Sequence, residues 1–547
     1  MMQANTTSRL PLFCLLLALA SLPSNAQTAG LYRIAGTVVN AVSGEPVRRA
    51  TVAVLGQEDG RTILSAQSDN DGHFSLPNLP AAKYQLTASK RGFRTAFYDE
   101  HDEFSSAIVT GEGQDTSNLT FRLTPASVLH GVVTGDGGDP VANASILLFL
   151  KPHGHSPGAR IAEADSTTTD DTGAYEFGDL ASGEYLLAVK AEPWYALHRS
   201  VSRALSDGGA SAALDVAYPV TFYDSTTEEA SATAIMLAGG NREEANLSLH
   251  AVPALHLVVE APRNQAGAVA QPELRQSIFG KQLSTETASL PGASPSGTTE
   301  FTGVAPGQYE LTQGDPPRLA NLDASVSQQV DPSLGAPIVT VSGTLRTASG
   351  AVLPYDAVLT LNRLDGPYSQ EPVRVISSNG AFYFPAPAPS LWEVSAEGTG
   401  KMQGRPLAVV STTAGSRTRQ GDRITVRDRP LSLEVTVSEG ETQVEGFARD
   451  QNRGFAGAMI VLVPRNRPVA ALASLLRRDQ SDSDGSFSLH NVVPGSYTVV
   501  AIQDGWALNW SRPEVIGRYL PGGIAVTVTA ESGKIVQLSR PVPVQNR

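Results

Sequence analysis

Short segments in which apolar and polar residues alternate recur along the whole chain. The first pair is 73–76 (HFSL) and 84–88 (YQLTA), separated by a short loop around Pro80. Side chains at every second position of a strand point to one face, so Phe74 and Tyr84, each followed two residues later by a leucine, are expected to line a shared interior. Each such pair predicts an antiparallel hairpin.

The hairpin pattern repeats at a fixed spacing. In five places a turn glycine stands twelve residues before an aromatic residue: Gly72 and Tyr84, Gly173 and Tyr185, Gly297 and Tyr309, Gly380 and Trp392, Gly485 and Tyr497. Asp, Asn, Ser or Thr precede three of these glycines, as expected for turns, because glycine tolerates positive φ and short polar side chains bond to the local backbone. A spacing that recurs within one chain indicates a structural unit copied in tandem.

Each unit also has an earlier part. A glycine-containing strand, such as 36–38 (GTV) or 131–133 (GVV), begins 36 to 42 residues before the turn glycine in four of the units. A second alternating strand follows it, as in 50–54 (ATVAV) and 144–148 (ASILL). Six or seven short strands in roughly a hundred residues predict a β-sandwich. The fold class is therefore all-β, a tandem array of about five antiparallel β-sandwich modules.

The predicted domain boundaries follow the repeat. Module 3 is degraded because it lacks a clear first-strand glycine, and module 4 has Asn379 and Trp392 where other units have Asp and Tyr. No Gly/Ser-rich linker separates the modules, so we expect a semi-rigid rod. The predicted segments are a signal peptide at 1–26 and modules 1 to 5 at 27–125, 126–251, 252–337, 338–438 and 439–547.

The succession of motifs G-x-V, G-x-P-V-x-x-A-x-V, D-G-x-F and G-x-Y-x-L resembles the carboxypeptidase regulatory-like domain. The resemblance covers nearly all of the chain after residue 26. It implies prealbumin-like, immunoglobulin-like sandwiches of the carbohydrate-binding-like fold group, with no catalytic residues of their own. It also implies a domain that is appended to certain peptidases, begins some outer-membrane receptors or recurs in long secreted proteins. Analogy at the level of the fold does not identify a ligand.

Composition narrows the class of function. The chain of 547 residues has a formal net charge of −13 at pH 7, which argues against a nucleic-acid partner because phosphate binding needs a basic face. The sequence contains no G-x-S-x-G, H-E-x-x-H or H-x-x-E motif. We therefore predict that the protein is not an enzyme and has no catalytic residue, no metal site and no cofactor.

The N-terminus predicts export. Arg9 is the only charged residue of the first 26, an apolar segment runs from 10 to 20, and 24–26 (SNA) offers a small-residue cleavage site before Gln27. The only cysteine, Cys14, lies in the apolar segment, so the mature chain is expected to form no disulfide. This pattern favours a bacterial protein that is secreted or held in the periplasm or cell envelope. No later apolar stretch is long enough for a transmembrane helix.

Three patterns raise the question of a metal site or a charged surface. The Asp-rich turns 69–72 and 482–485 begin like calcium loops, but glutamine and asparagine occupy the positions expected for the first and last ligands. The 153–155 motif (HGH) offers two histidines in a Pro- and Ser-containing loop with no third ligand nearby. Hairpin turns and an exposed loop are the alternative interpretations. The acidic run 99–103 (DEHDE) predicts a solvated loop.

Aromatic residues cluster after the Tyr-x-Leu strand in three modules. Exposed aromatic side chains with polar neighbours stack on sugar rings or anchor protein partners. The alternative is that they close the end of a sandwich or form contacts between modules. The candidate ligand-binding residues are Phe93, Tyr98, Trp194, Tyr195, Tyr223, Trp506, Trp510 and Tyr519.

The leading hypothesis is a non-enzymatic, exported, multi-module binding or adhesion protein, with a polysaccharide or a cell-envelope protein as its partner. The alternatives are a structural spacer, an accessory subunit of an envelope complex and, more distantly, a peptidase-associated regulatory protein. Exposure of Trp194, Trp506 and Trp510 distinguishes the first two, because a binding protein presents such rings on an open face and a spacer buries them.

Overall fold

The structure is a computed structural model, and every structural statement below concerns the residues that it describes. The predicted signal peptide, the 153–155 motif and Gly297 lie outside those residues. The described residues are 30–56, 60–152, 160–198, 214–260, 272–284, 298–331, 333–365, 372–399, 406–465, 475–529 and 534–547.

Module 1 consists of two facing sheets. Its strands are β1 (Tyr32–Asn40), β2 (Thr51–Leu55), β3 (Thr62–Gln67), β4 (His73–Leu79), β5 (Lys83–Ser89), β6 (Ala96–Phe97), β7 (Ile108–Val109) and β8 (Leu119–Leu123). One sheet has the order β4-β1-β8, and the other has the order β3-β2-β5-β6 with β7 also paired to β5. Apolar side chains such as Ile34, Leu76 and Phe121 fill the space between them.

Module 2 repeats this arrangement. Its strands are β9 (Ser127–Thr134), β10 (Ser145–Leu150), β11 (Ala162–Thr168), β12 (Ala174–Leu180), β13 (Gly183–Lys190), β14 (Val216–Ala217), β15 (Thr221–Phe222), β16 (Ile235–Leu237), β17 (Arg242–Glu244), β18 (Leu247–Ser248) and β19 (Val252–Pro253), with a 3-10 turn at Glu229–Ser231. The sheet around β9 faces the sheet β11-β10-β13-β15, while β14 and β19 form a separate two-stranded sheet.

Module 3 is a sandwich despite its degraded motif. Its strands are β20 (Leu255–Glu260), β21 (Glu273–Ile278), β22 (Lys281–Ser284), β23 (Thr298–Val304), β24 (Gly307–Gln313), β25 (Arg318–Ala324) and β26 (Gln328–Gln329). The sheet β23-β20-β26 packs on the strands β22-β21-β24-β25 around a core that includes Leu257, Phe301 and Leu311.

Module 4 continues the second sheet of module 3, because β25 pairs with its first strand. The strands are β27 (Ala336–Thr347), β28 (Ala357–Arg363), β29 (Val373–Ile376), β30 (Ala381–Pro387), β31 (Ser390–Gly398), β32 (Pro406–Ala414), β33 (Arg417–Gln420), β34 (Arg423–Val426) and β35 (Leu431–Glu439). The predicted boundaries at 337 and 438 fall within β27 and β35 and stay predictions.

Module 5 has the strands β36 (Thr442–Asp450), β37 (Arg453–Gly454), β38 (Met459–Pro464), β39 (Arg477–Gln480), β40 (Ser486–Val492), β41 (Gly495–Ile502), β42 (Ile524–Val528), β43 (Ile535–Gln537) and β44 (Val542–Gln545). One short helix, α1 (Pro513–Ile516), and 3-10 turns at Gly505–Ala507 and Leu520–Gly522 lie between β41 and β42. The core contains Val444, Phe487 and Val499.

The all-β tandem sandwich is confirmed, with one addition to its topology. The hairpin strands pair antiparallel, whereas the first strand of each module pairs parallel with a strand at or near the module's end. These parallel pairs are β1 with β8, β9 with β17, β20 with β26, β27 with β35 and β36 with β43.

The aromatic residue of the repeat has the same role in four modules. Its ring is buried, and its hydroxyl donates a hydrogen bond to the carbonyl oxygen four residues upstream. In module 4, the indole nitrogen of buried Trp392 donates instead to Ser390 Oγ at 2.7 Å. Each copy thereby satisfies a polar group that burial removes from water. The tyrosine bonds are Tyr84 to Pro80 (3.1 Å), Tyr185 to Ala181 (3.0 Å), Tyr309 to Ala305 (2.8 Å) and Tyr497 to Val493 (2.7 Å).

The turn glycine lies directly over the first strand. Gly72 has a φ of 78°, and its carbonyl oxygen accepts a hydrogen bond from Val38 N at 2.8 Å. A Cβ at Gly72 would lie 2.6 Å from the Val38 carbonyl oxygen, and Gly173 and Gly485 make equivalent close contacts. Both the backbone conformation and the close approach therefore require glycine at this position.

The first-strand glycine provides a test of the module fold. Gly36 pairs with Leu119 of β8, and a Cβ at Gly36 would come within 2.1 Å of the Leu119 carbonyl oxygen. We expect Gly36→Ala to lower the free energy of unfolding by about 1–3 kcal/mol, because the two strands would have to separate. Denaturant unfolding of the full chain measures the loss. Gly111→Ala is the matched control, since a Cβ there meets no atom within 4 Å; equal losses in both variants would contradict the prediction.

Candidate functional site

Module 1 packs directly against module 5, although these are the first and last modules of the chain. The participating residues of module 1 are Lys83 and 99–109. Those of module 5 are 478–486 together with Trp506 and Trp510. We refer to this surface as the 1–5 contact.

Main-chain hydrogen bonds form the centre of the 1–5 contact. One carboxylate oxygen of Asp482 accepts a hydrogen bond from Ala107 N at 2.8 Å, and the other pairs with Lys83 Nζ at 2.8 Å. In the opposite direction, Ser483 N donates to the Ala107 carbonyl oxygen at 3.0 Å. Because backbone groups have fixed geometry, these bonds define the relative position of the two modules.

Arg478 forms the second part of the 1–5 contact. Its guanidinium donates to Asp102 at 2.9 Å and to Glu103 at 3.2 Å, and its side chain is only 8% exposed. The same group lies 4.6 Å from the centre of the Trp510 ring. A desolvated guanidinium that meets both carboxylates and an aromatic face is a strong local attachment.

The aromatic candidates of module 5 belong to the same surface. The Trp506 ring stacks on His101 of module 1 with centroids 5.3 Å apart, and its indole nitrogen donates to the Gly457 carbonyl oxygen at 3.2 Å. Trp510 is 5% exposed, and Tyr519 is buried in the same apolar cluster. In the described structure, Trp506 therefore joins modules 1 and 5, while Trp510 and Tyr519 are buried within module 5, and none of the three lines an open face.

The expectation of a semi-rigid rod is wrong, because the ends of the array meet. Consecutive modules also touch: Phe279 of module 3 packs on two phenylalanines of module 2, and Leu475 and Val493 of module 5 pack on Ala408 of module 4. The acidic run 99–103 is not a purely solvated loop, since its carboxylates bind Arg478. Charge pairing over a long sequence distance closes the array.

Two aspartates beside the 1–5 contact have raised pKa values. Burial raises the pKa of Asp479 to about 7, although hydrogen bonds from the backbone of Ser488 and Gln480 oppose the shift. Burial also raises the pKa of Asp482, against the opposing effect of Lys83. Asp479 lines a cleft of about 470 Å³, so solvent protons have access to it. A carboxyl group that changes charge near neutral pH thus lies at the edge of the 1–5 contact.

The candidate aromatic residues of module 1, and Tyr223 of module 2, are partly buried. Phe93 and Tyr98 pack on the core of module 1, where the Tyr98 ring meets Phe121 edge-on with centroids 5.8 Å apart. Tyr223 packs on the core of module 2 in a similar way. Burial, with the neighbouring Asp99 charge, raises the pKa of Tyr98. These three rings contribute to the interior of their own sandwiches.

Trp194 has a different environment. Its side chain is 88% exposed, and it follows β13 on the surface of module 2. Tyr195 lies edge-on to it with centroids 5.7 Å apart. Tyr195 in turn shares a side-chain hydrogen bond with the buried Tyr218, whose pKa is raised first by burial and then by this neighbour. The exposed indole is therefore held next to an anchored ring.

The Asp-rich turns use their carboxylates for hydrogen bonds. Asp69 Oδ1 accepts from Asp71 N at 3.0 Å and from His73 N at 2.8 Å, and Asp170 makes the same pattern in module 2. The corresponding Asp482 accepts from Ser486 Oγ of its own turn at 3.3 Å and also from Ala107 N of module 1. Within the described part of the chain, no group of three or more His, Cys, Asp or Glu side chains is arranged to hold a metal ion.

Sequence reasoning missed the residues of the 1–5 contact. One signal was available: β39 carries two arginines, Arg477 and Arg478, where the equivalent strands β3 and β11 carry none. The complementary acidic run lies nearly four hundred residues away. Opposite charges alone do not identify partners at that distance, so the pairing was visible only in the tertiary structure. No helix among the described residues is long and apolar enough to cross a membrane.

Comparison with known proteins gives two kinds of similarity. Residues 33–124 and 128–217 each match the model of the carboxypeptidase regulatory-like domain. No curated protein matches the chain. Among solved structures, the Bacillus anthracis TIE protein is 11% identical, with 96% of this chain and 76% of that chain covered and a TM-score of 0.15.

Two further solved structures are similar over parts of the chain. GBS52, the minor pilin of Streptococcus agalactiae, is 15% identical, with 41% of this chain and 97% of that chain covered and a TM-score of 0.19. Two B repeats of the Staphylococcus aureus collagen-binding protein are 10% identical, with 75% of this chain and 100% of that chain covered and a TM-score of 0.13. Scores this low carry no argument about function. The family assignment rests on the sequence match and the sandwich topology: residues 33–124 and 128–217 are tandem carboxypeptidase regulatory-like domains.

Proposed function

We propose that this protein is an exported, non-enzymatic binding protein that adheres to polysaccharide through Trp194 and Tyr195. The observation that carries the proposal is the 88% exposure of Trp194. An indole held in water gains free energy when a ligand covers it, at about 25 cal/mol per Å² of apolar surface buried. Tyr195 meets the indole edge-on and offers a second aromatic surface beside it.

The chemistry of the site favours a sugar ring as the ligand. The faces of pyranose rings carry C–H groups that pack against the apolar face of an indole. The net charge of −13 favours a neutral polysaccharide over an acidic one, because like charges repel. Among the described residues, no cluster of side chains is arranged to hold a metal ion.

A second candidate function is that of a structural spacer or accessory subunit in the cell envelope. The observation in its favour is that Trp506 stacks on module 1 and that Trp510 is covered by Arg478 of its own module. In that case the modules serve to build a closed scaffold, and Trp194 belongs to a surface that another envelope protein covers.

Depletion from solution tests the first proposal. The mature protein is incubated with a panel of insoluble neutral and acidic polysaccharides and with envelope fractions, and the protein remaining in solution is measured. We expect retention on a neutral polysaccharide and an affinity about five- to 150-fold lower for Trp194→Ala, if a sugar ring gains as much as the roughly 1–3 kcal/mol that a nucleobase gains from stacking on one aromatic side chain.

Tyr383→Ala is the matched control, since Tyr383 is an aromatic residue of module 4 that is 73% exposed. Equal retention of the wild type and Trp194→Ala would show that Trp194 is not part of the binding site. Retention on no polysaccharide, with both proteins folded, would overturn the sugar proposal. Retention on envelope fractions alone would favour the accessory role.

A further inference from the structure

A histidine at the junction of modules 2 and 3 lies between two carboxylates. His256 Nε2 is 2.6 Å from Asp215 Oδ2, and His256 Nδ1 is 2.8 Å from Glu300 Oε1. All three side chains are largely removed from solvent, with 11%, 22% and 8% exposed respectively. The other oxygen of Asp215 is 3.1 Å from His198 Nδ1.

This geometry determines how many protons the cluster holds. A neutral imidazole has one N–H donor and one lone pair, whereas an ionised carboxylate only accepts hydrogen bonds. Two hydrogen bonds to two carboxylates therefore require a proton on both ring nitrogens of His256, or the equivalent proton shared with a carboxyl group. If that proton is lost, a nitrogen lone pair faces an oxygen lone pair in a poorly solvated site, and attraction becomes repulsion.

The cluster spans the junction between the two modules. Asp215 precedes β14, at the end of module 2, and its backbone oxygen accepts a hydrogen bond from Ala254 N at 2.9 Å. His256 lies on β20 and Glu300 on β23, both in module 3. His198 lies four residues after Trp194 in the segment that follows β13, which we call the Trp194 loop, and the Leu197 amide donates to the Leu214 carbonyl oxygen in the Asp215 segment at 2.8 Å. One carboxylate thus connects a strand of module 3 to the Trp194 loop of module 2.

The junction also contains an aromatic contact and an ion pair between Lys281 of module 3 and Glu163 of module 2 at 2.5 Å. The ring of Phe279 packs edge-on against Phe149 and Phe222, with centroids 5.1 and 5.2 Å apart. The Phe279 amide also donates to Glu229 at 2.9 Å. Since aromatic packing does not change with protonation, Phe279 remains as a pivot when the polar side of the junction changes.

We propose that His256, Asp215 and Glu300 form a proton-dependent clamp that fixes module 3 against module 2 and releases it when the shared proton is lost. The titratable groups that the described contacts place around His256 are Asp215, Glu300 and, through Asp215, His198. Burial opposes protonation of His256, but the hydrogen bonds to Asp215 and Glu300 outweigh it and raise its pKa above 6.5. The clamp is therefore closed below pH 6.5 and opens as the pH rises through the raised pKa of His256.

Histidine NMR measures the protonation directly. The full mature chain is labelled with ¹³C at histidine Cε1, and the signal that disappears in His256→Gln is assigned to His256. We expect its titration midpoint above 6.5. The matched control is His250, an exposed histidine that meets a single aspartate, Asp136, at 2.9 Å. A midpoint for His256 at or below 6.5 would overturn the clamp.

Spin-label distances measure the mechanical consequence. The mature chain has no cysteine of its own, so Met236→Cys in module 2 and Val326→Cys in module 3 are unique labelling sites; both positions are more than half exposed. We expect a narrow distance distribution at about pH 5.5 that widens by about pH 9, the range over which a histidine with a raised pKa loses its proton.

The same label pair in His256→Gln separates the clamp from other effects of pH. This variant is expected to show one width at both pH values, whereas His250→Gln should behave like the wild type. A wild-type distribution that does not change, or one that changes equally in His256→Gln, would overturn the proposal. Neither measurement involves a ligand, so both outcomes are independent of polysaccharide binding by Trp194.

Discussion

Arg478→Ala is expected to open the 1–5 contact and to increase the radius of gyration of the protein. Arg478 is 8% exposed and binds two carboxylates of module 1 while lying on the Trp510 ring. Loss of the guanidinium is expected to weaken the contact by about 1–2 kcal/mol, because the Asp102 and Glu103 carboxylates that it pairs with are 37% and 67% exposed and stay hydrated when the arginine is removed. The bonds through Asp482, Ser483 and Gln480 remain, so we expect open molecules to form a fraction of the Arg478→Ala population.

Small-angle X-ray scattering of the monomeric full chain measures the change in shape. Arg346→Ala is the matched control, since Arg346 pairs with Glu434 at 3.0 Å on the surface of module 4 and its loss should cost at most about 1 kcal/mol. The double variant Asp102→Ala/Glu103→Ala removes the same attachment from the side of module 1 without altering module 5. If both contact variants keep the wild-type radius of gyration, the 1–5 contact does not depend on Arg478.

Stability is expected to fall as pH rises from about 5 to about 8, with Asp479 as a main cause. Its pKa is raised from 3.8 to about 7, so the folded state binds this proton more tightly than the unfolded state does. The resulting stabilisation is fully present below pH 3.8 and is lost as pH rises through about 7. The difference between pKa values of 3.8 and about 7 sets an upper limit of about 4 kcal/mol on this stabilisation. His256 contributes in the same direction.

Denaturant unfolding at a series of pH values measures this slope. Asp479→Asn is expected to flatten it, because an amide stays uncharged and still accepts the hydrogen bond from Ser488 N. Asp170→Asn is the control, since hydrogen bonds lower the pKa of this exposed turn residue and its titration lies well below the range studied. A slope that is identical in wild type and Asp479→Asn would assign the pH dependence to other groups.

The hairpin repeat shows how much of the fold local sequence determines. Spacing between Gly72 and Tyr84 was enough to predict a turn and two strands, because positive φ and side-chain alternation are properties of a few neighbouring residues. The structure adds the reason for the fixed spacing. The glycine lies against the first strand, and the tyrosine hydroxyl donates a hydrogen bond to the carbonyl oxygen four residues upstream. The parallel closing strand was not predicted, since its partner is nearly a hundred residues away.

The candidate aromatic residues show where local reasoning ends. Trp194, Trp506 and Trp510 follow the same kind of strand and look equivalent in the sequence. In the structure Trp194 is exposed, whereas Trp510 is buried under Arg478 and Trp506 stacks on His101 of module 1. Exposure depends on which module packs nearby, and no residue adjacent to a tryptophan encodes that.

The sequence by itself determined the class of fold, the repeated unit and the two regulatory-like domains, because strand alternation and turn chemistry are local. Only the tertiary structure decided that the array closes, that Asp482 bonds to module 1 as well as to Ser486 of its own turn, and that His256 lies between Asp215 and Glu300. Each of these contacts joins residues that are distant in the chain, and their free energy depends on burial and distance, which exist only once the modules have packed.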